Sequence, residues 1–546
     1  MKKIVIIATY IFIFWVLLPF FLLYTALLLD DRCAFSLSTS GLTILSGIFF
    51  IVISIPLLVI SIIQFKKQGK ELPISATPAA HLIQNGLFAV WRHPIYLFFT
   101  LTFIGIALIL PSFSLLVIVI PFFILVELFY IYIEEMNLIK RFGDPYRYYK
   151  KQTPLVIPAF HNILRLHVYF LLKIFFSYRV TGKENIPAQP PFFVLAAHKN
   201  YLDPFFIAAA ISFPVQFITT HEVFRNPFSR LFFRRLNCLA KKRYTTDHTA
   251  IRSIIRAIEH NQVIGIFPEG ERSWTGRTVP FKSEVLNLLR KYHRVPILPV
   301  QITGNYIAWP RWAKWPRRAP VHIHFQKPIF IKTEQSLDET ERQLRTLTEC
   351  TDISVHCRSK QRAKNISLVI YRCPVCRTFE PYNLNNGIGF ICRYCQTNFD
   401  LRDDYTIQYI HNGNIMKRNI EQVYQQIRIN ADGDLQNNDG KENLTIIRSG
   451  DAAMYMEQKN RLVRQFNCQL ILNRGQIRFQ NQDQGIYIAL NKISSLTIEG
   501  NDKLQIYIRQ DSELFQVIFK QESALKWQDY IIEVMKTEIG RTPNSR

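Results

Sequence analysis

Two uncharged apolar runs, Ile4 to Leu29 and Leu42 to Phe65, constrain this chain more than any other feature. A continuous apolar stretch of about 20 residues has few stable environments other than a bilayer, where a helix satisfies its own backbone. The first run follows Lys2 and Lys3. It is longer than the roughly 7 to 15 residues of a signal-peptide core and has no convincing small-residue cleavage site, so it is expected to remain as a span. The second ends in Lys66, Lys67 and Lys70, whereas the connection between the two carries Asp30, Asp31 and Arg32. The positive-inside rule then assigns the N-terminus and the segment after Phe65 to the cytoplasm. Ile95 to Leu110 and Ser114 to Ile133 come next as a third and fourth run, broken at Pro111 and Ser112 like a hairpin, with Lys140 and Arg141 behind them. Residues 1–158 are therefore expected to form an α-helical transmembrane bundle of about four spans.

The rest of the 546 residues is less apolar and long enough for further soluble domains, at about 150 residues each. A net charge of +25 suits attraction to phosphates, in nucleic acid or on an anionic leaflet. The basic residues are dispersed and follow no nucleic-acid motif, which together with the apolar runs favours the membrane. Nine cysteines include two C-x-x-C pairs, a pattern of zinc binding in a reducing compartment more than of a disulfide framework.

The flanks of the third and fourth runs carry polar groups in a definite order. Arg92-His-Pro-Ile-Tyr96 precedes them, and Glu134-Glu135, Phe142-Gly143, Tyr146, Tyr149 and Pro154 to Pro158 come after. Over residues 80–158 this resembles the isoprenylcysteine carboxyl methyltransferase and phospholipid methyltransferase superfamily. The resemblance implies S-adenosylmethionine at the cytoplasmic face, held by Arg92, His93 and Tyr96 from one side and Glu134 or Glu135 from the other. Carboxylates accept hydrogen bonds from amino and ribose hydroxyl groups, and a hairpin brings both motifs to one interface. The competing reading makes Arg92 and His93 interfacial groups and the two glutamates caps of the span. No G-x-G-x-x-G follows a strand here, so a dinucleotide-type cofactor loop is not supported.

From residue 159 to 332 short apolar runs alternate with amphipathic ones, as in an α/β domain. The apolar start, His167 to Tyr178, suits either the headgroup region or a core. Phe192 to Ala197 reads as a buried strand that delivers His198 to its end, with Asp203 as the N-cap of a new helix and Pro204 in its first turn. On a continuous helix His198 and Asp203 would lie about 140° apart, so only a turn between strand and helix brings them together as a candidate general base and its orienting carboxylate. Three further blocks occur in order: Cys238 to Arg243, Val263 to Ser273 with Phe267-Pro-Glu-Gly-Glu-Arg-Ser, and Val295-Pro296 to Val300.

This ordered set resembles the glycerolipid acyltransferases of the 1-acylglycerol-3-phosphate acyltransferase family. Ala197, Asn200, Cys238 and Glu271 depart from its usual Asn, Ser, Gly and Thr. The implied reaction is direct attack of a lysophospholipid or glycerophosphate hydroxyl on an acyl thioester, from acyl-CoA or acyl-carrier protein, with His198 as base and Asp203 holding it. Arg243 and Arg272 would bind an acceptor phosphate. Gly270 would allow close backbone approach, Glu269 would place the acceptor or brace the loop, and Pro296 belongs to the fourth block. Glu271 puts a negative charge beside Arg272 that would weaken or redirect phosphate binding. Ala308 to Pro320, with Trp309, Trp312 and Trp315 among Arg311, Lys314, Arg317 and Arg318, suits a bilayer interface; single-stranded nucleic acid is the less favoured ligand.

Residues 333–368 read as a helix and a basic linker, with Cys350 and Cys357 as ordinary thiols. Cys373, Cys376, Cys392 and Cys395, with 15 residues between the pairs, match a four-thiolate zinc site and resemble a zinc ribbon over 369–400, structural or recognitional because no coordination position stays open for catalysis. Within 401–443, Asn430 to Asn443 is expected to be a loop; Leu435 stands where a calcium loop needs Gly. Residues 444–546 read as strands at Gln469 to Leu472, Gln476 to Phe479, Ile486 to Leu490, Leu504 to Ile508 and Leu514 to Phe519. A closing helix from Ser523 carries Ala524, Trp527, Ile531 and Val534 on one face. This looks like a pleckstrin-homology-type domain, which implies a lipid headgroup or protein ligand. The whole is a multidomain chain read as a membrane-bound acyltransferase with a methyltransferase domain. The alternatives are a lipid or prenylcysteine-type methyltransferase and a tethered scaffold with relic enzyme domains.

Overall fold

The computed structural model describes residues 9, 12–33, 40–69, 81–84, 86–110, 112–156, 160–241, 248–350, 355–357, 359–436, 445–458, 461–481, 485–508, 513–520 and 522–540. The chain forms two compact units, Met1–Tyr169 with Ser212–Pro214, and Phe170–Ile211 with Val215–Arg546.

The first unit is helical. Leu18–Cys33, Gly41–Gly69, Pro94–Ile109 and Ile120–Phe142 are its long helices, the last entered through a π-turn at Leu115–Val119 and succeeded by Asp144–Gln152. Gly41–Gly69 and Leu115–Phe142 are long and apolar enough to cross a membrane. Pro94–Ile109 is apolar but has 16 residues, about 24 Å of helix against a hydrocarbon core of about 30 Å. The beginning of the first apolar run lies outside the described residues, and its described end carries Asp30, Asp31 and Arg32 inside Leu18–Cys33 instead of in a connecting loop. Gly41–Gly69 and Pro94–Ile109 pack through small residues. A Cβ on Gly47 would stand 2.6 Å from the carbonyl oxygen of Gly105, and the hydroxyls of Ser54 and Thr102 lie 2.8 Å apart.

The second unit opens on a seven-stranded sheet: β1 (Arg179–Thr181), β2 (Phe192–Ala196), β3 (Val215–Thr220), β4 (Leu239–Lys241), β5 (Val263–Ile266), β6 (Ile297–Thr303) and β7 (His322–Phe325), in the order β1-β7-β6-β2-β5-β3-β4. β2 lies between β5 and β6, parallel to both. Five consecutive apolar residues suit that central place, since both its faces are covered and every position is buried. Phe193, Leu195, Ile264, Ile266 and Ile297 join Leu286, Leu289 and Leu344 in the core. Ahead of the sheet, Leu172, Phe176 and Tyr178 are buried while Ile174 and Phe175 are exposed, so this segment packs on the core with one face and presents apolar groups with the other.

After the helix Leu337–Thr348, which begins in a capping box of Ser336 and Glu339, comes a five-stranded antiparallel sheet. Its strands are β8 (Tyr382–Asn385), β9 (Gly389–Cys392), β10 (Asn398–Leu401), β11 (Thr406–His411) and β12 (Asn414–Asn419). A helix, Ile420–Gln436, then covers Asn430 to Gln436, where a loop was expected; the end of that stretch lies outside the described residues. The apolar positions Ile420, Val423 and Ile427 recur at helical spacing and are buried, and this outweighs the Asp, Asn and Gly content of the last turns.

The C-terminal sheet is antiparallel: β13 (Ile447–Arg448), β14 (Ala452–Gln458), β15 (Arg461–Leu472), β16 (Gln476–Gln480), β17 (Gly485–Ala489), β18 (Ile493–Glu499), β19 (Lys503–Ile508) and β20 (Glu513–Phe519), ordered β17-β16-β15-β14-β20-β19-β18 with β13 beside β15. All five expected strands are present. β13, β14, β18 and most of β15 were not foreseen, because Met, Ser, Gln and Arg interrupt their alternation. The helix Ala524–Ile539 is capped by the Ser523 hydroxyl and buries Ala524, Trp527, Ile531 and Val534.

Candidate active site

β2 ends at Ala196, and a tight turn carries the chain from Ala197 to the helix Asp203–Ala210. Asp203 is the first residue of that helix and not its N-cap; Leu202 holds the cap position without a side-chain bond. The carboxylate is turned back into the preceding turn instead. Its Oδ2 accepts from the backbone N–H groups of Lys199 (2.8 Å) and Asn200 (2.7 Å) and faces His198 Nδ1 at 2.9 Å, while Oδ1 accepts from the amide of Asn305 at 2.7 Å. Both oxygens of a fully buried carboxylate are thus engaged. Facing a carboxylate, Nδ1 carries the proton and Nε2 the lone pair. The imidazole is 20% exposed and stacks on Phe267 at 4.2 Å. Burial pushes its pKa below the usual histidine value, against the opposing pull of Asp203, so it is neutral at pH 7.

The loop after β5 is laced to this turn. Glu269 Oε1 accepts from His198 N at 3.1 Å, and Ser273 N donates to the His198 carbonyl at 2.9 Å. Burial raises the Glu269 carboxyl to about 8 in spite of two backbone hydrogen bonds, and its Oε2 has no hydrogen-bond partner among the described residues. Gly270 has φ +74°, which explains the glycine; a Cβ there would meet only the Lys282 side chain, at 3.5 Å. Arg272 stacks on the ring of Tyr201, 3.2 Å from its centroid, with Nη1 buried and unbonded among the described residues. Burial lowers its pKa to about 10, which leaves it charged.

Arg311 changes the reading of Glu271. Its guanidinium lies 3.3 Å from the Glu271 carboxylate and donates to the Arg272 carbonyl at 2.8 Å. The carboxylate beside Arg272 therefore has its own cation. The stretch from Ala308 to Pro320 is not one interfacial patch: Arg311 and Trp312 are buried, whereas Trp315 is 71% exposed. The Trp312 indole donates to the Tyr306 hydroxyl at 3.1 Å, which draws it inward.

Pro296 immediately precedes β6, and its carbonyl accepts from Phe193 N of β2 at 2.9 Å. Arg243 falls outside the described residues, just beyond the end of β4. Asn305, Arg311 and Phe267 were missed as site residues. Asn305 follows Gly304, whose φ of +81° and closeness to the Pro320 carbonyl mark a sharp turn directly after β6.

In the first unit, His93 stands at the start of Pro94–Ile109 and the two glutamates on Ile120–Phe142. Tyr96 OH donates to Glu134 Oε2 at 3.0 Å, and His93 Nδ1 lies 3.7 Å from the same oxygen. Glu135 is 7% exposed and lies 3.4 Å from both Arg92 Nε and His93 Nε2 and 2.6 Å from Lys150 Nζ. The five expected groups do cluster, with Lys150 as an unforeseen sixth. His93 Nε2, Glu135 Oε1 and Tyr146 OH are buried without a hydrogen-bond partner among the described residues.

Cys373, Cys376, Cys392 and Cys395 also converge, their sulfurs within 4.8 Å of one another, with Cys373 to Cys395 at 3.7 Å and Cys376 to Cys392 at 3.5 Å. Tetrahedral thiolates about 2.3 Å from a zinc ion stand about 3.8 Å apart, so the donor set fits that ion.

A His just beyond the central strand of a mostly parallel sheet thus faces an Asp in the first turn of the next helix, with a Phe-Pro-Glu-Gly loop beside them. The family model described as "Acyltransferase" matches residues 177–303, and that described as "Phospholipid methyltransferase" matches residues 42–145, so two separate segments of the chain are each similar to a family. A 1-acyl-sn-glycerol-3-phosphate acyltransferase of Bacillus subtilis (strain 168) is 25% identical over 138 residues, 24% of this chain and 68% of that protein. One of Limnanthes douglasii is 27% identical over 155 residues, 28% of this chain and 54% of that protein. The chain thus spans about two thirds of the first relative and about half of the second. Among solved structures, the 1-acyl-sn-glycerophosphate acyltransferase PlsC from Thermotoga maritima is 25% identical, with a TM-score of 0.31, over 34% of this chain and 78% of that one.

Proposed function

We propose that this chain is a membrane-bound O-acyltransferase that moves a fatty acyl group from an acyl thioester, acyl-CoA or acyl-carrier protein, to the free hydroxyl of a 1-acylglycerol-3-phosphate-type lysophospholipid. The contact between Asp203 and His198 Nδ1 carries this reading. Nε2 of His198 takes the proton of the acceptor hydroxyl as its oxygen attacks the thioester carbonyl. The new C–O bond forms, the C–S bond breaks, and the proton passes from His198 to the departing thiolate. A positioned base of this kind contributes roughly 10² to 10⁴ in rate. Arg272, and Arg243 with it, meets the acceptor phosphate, with Tyr201 holding the Arg272 guanidinium flat. Glu269, protonated at neutral pH, braces the turn through His198 N and leaves Oε2 for an acceptor hydroxyl.

In the first unit, S-adenosylmethionine, which supplies an activated methyl group when bound, is the cofactor that the matched family implies. His93, Tyr96 and Glu134 would hold it. Glu134 is the more exposed carboxylate, while Glu135 is held among Arg92, His93 and Lys150. The unit is read as four spans with a cytoplasmic N-terminus and both catalytic regions on that side. Zinc at the four cysteines is structural, and the C-terminal domain is pleckstrin-homology-like, with a headgroup or protein ligand. Lipid mass spectrometry of membranes from cells expressing the chain, His198→Ala and Glu134→Ala tests both activities. Loss of diacyl product only in the first variant and of methylated lipid only in the second is expected; no lipid change in either would favour a scaffold.

A further inference from the structure

Arg311 is 2% exposed, and its guanidinium stands 4.4 Å from the centroid of the Trp274 indole. One edge faces the active-site loop, with Nη1 donating to the Arg272 carbonyl at 2.8 Å and to Glu271 at 3.3 Å. The other edge faces the turn between β18 and β19, with Nη2 donating to the Ile498 carbonyl at 2.7 Å and Nε to the Gly500 carbonyl at 3.1 Å. A guanidinium is rigid and planar and its N–H directions are fixed, so bonds from both edges set the distance between the two loops. A second contact runs the same way: Arg225, in the acyltransferase domain, lies 3.4 Å from Glu457 on β14. Neither Arg225 nor Glu457 reaches the reacting groups, whereas Arg311 grips the backbone of Arg272 itself.

We propose that Arg311 is a positioning residue for acyl transfer and that, through it, the C-terminal β domain is part of the framework of the active site. This rests on the reading of Arg272 as the phosphate-binding group. Glu271, where the family pattern has Thr, is on this account the loop's charged anchor for Arg311 and not a competitor for the acceptor phosphate. Displacement of the β18–β19 turn, by a ligand or by substitution, is transmitted to Arg272 without any contact to substrate.

The test uses the full chain with Arg311→Lys and Glu271→Thr. Amide hydrogen exchange is expected to quicken by about tenfold in both 270–276 and 498–502 in Arg311→Lys, with Phe192–Ala196 keeping its protection, because local opening reports the bonds that close each segment. A rise confined to one of the two segments, or none, overturns the coupling. If Arg311→Lys does not fold, Glu271→Thr decides by the same criterion. In acyl transfer, the apparent KM for lysophosphatidic acid is expected to rise about tenfold, equivalent to about 1.4 kcal/mol, while the KM for the acyl thioester stays within about twofold. An unchanged acceptor KM in a variant with quickened exchange overturns the positioning role. If the unaltered chain transfers no acyl group, the functional reading fails, and the exchange result then judges the coupling alone.

Discussion

The side-chain amide of Asn305 donates to Asp203 Oδ1 at 2.7 Å, closing the one face of that carboxylate that its own turn leaves open. The Asn305 carbonyl in turn accepts from the Asn200 side chain at 2.6 Å, so the end of β6 and the turn after β2 hold each other. His198 owes its orientation to this arrangement as much as to Asp203.

Replacing Asn305 with Ala leaves a fully buried carboxylate oxygen unsatisfied, at a cost of about 1–3 kcal/mol. A fall in Tm together with a loss of kcat is expected, and the donor-retaining Asn305→Gln is expected to lose less of both. Thermal unfolding and initial rates check this; an Asn305→Ala chain with unaltered Tm would contradict it.

With His198 as the proposed base, burial of its imidazole is expected to set the pH dependence of kcat/KM. Its depressed pKa places the acid limb below about 6.5, because only the neutral imidazole accepts a proton. Removing Asp203 removes a group that raises the pKa, so Asp203→Asn is expected to move the limb lower still, while kcat falls by roughly 10² to 10⁴ through loss of the tautomer. A limb above pH 7 in the unaltered chain contradicts this assignment.

Glu269 gives stability the opposite slope to most carboxylates. Its folded pKa of about 8 lies above the ordinary value of 4.5, so the folded state binds the extra proton between these limits. The contribution is complete below 4.5 and is lost as pH rises through about 8. Urea unfolding at pH 6 and pH 9 is expected to show a decline that Glu269→Gln removes.

Metal analysis of the purified chain is expected to find one zinc ion per chain, lost in Cys373→Ser with Cys392→Ser. The strands β8 to β10 are then expected to lose exchange protection while β2 keeps its own, since metal binding and local folding are linked. Full protection of β8 to β10 in metal-free protein would contradict a structural role.

Local structure was legible where neighbouring residues carry it. Phe192 to Ala196 is apolar throughout and is central; the two cysteine pairs lie in the turns before β8 and β10 and converge as their spacing suggests. What the sequence concealed depends on groups far apart in the chain. Asp203 has helix-cap chemistry, but 102 residues on stands the amide that engages its other oxygen. Arg311 sits among tryptophans and arginines whose composition speaks of an interface, and only the fold draws it to carbonyls at Ile498 and Gly500. Asn430 to Gln436 carries loop residues, yet it completes a helix whose first turns have the periodicity.

The most direct measurement is acyl transfer from labelled acyl-CoA to lysophosphatidic acid by the full chain in membranes, with His198→Ala alongside. The account predicts labelled phosphatidic acid from the unaltered chain and a loss of roughly 10² to 10⁴ in His198→Ala at unchanged Tm, the worth of a positioned base. His198→Ala retaining a rate within about twofold of the unaltered chain, far short of that loss, would contradict it.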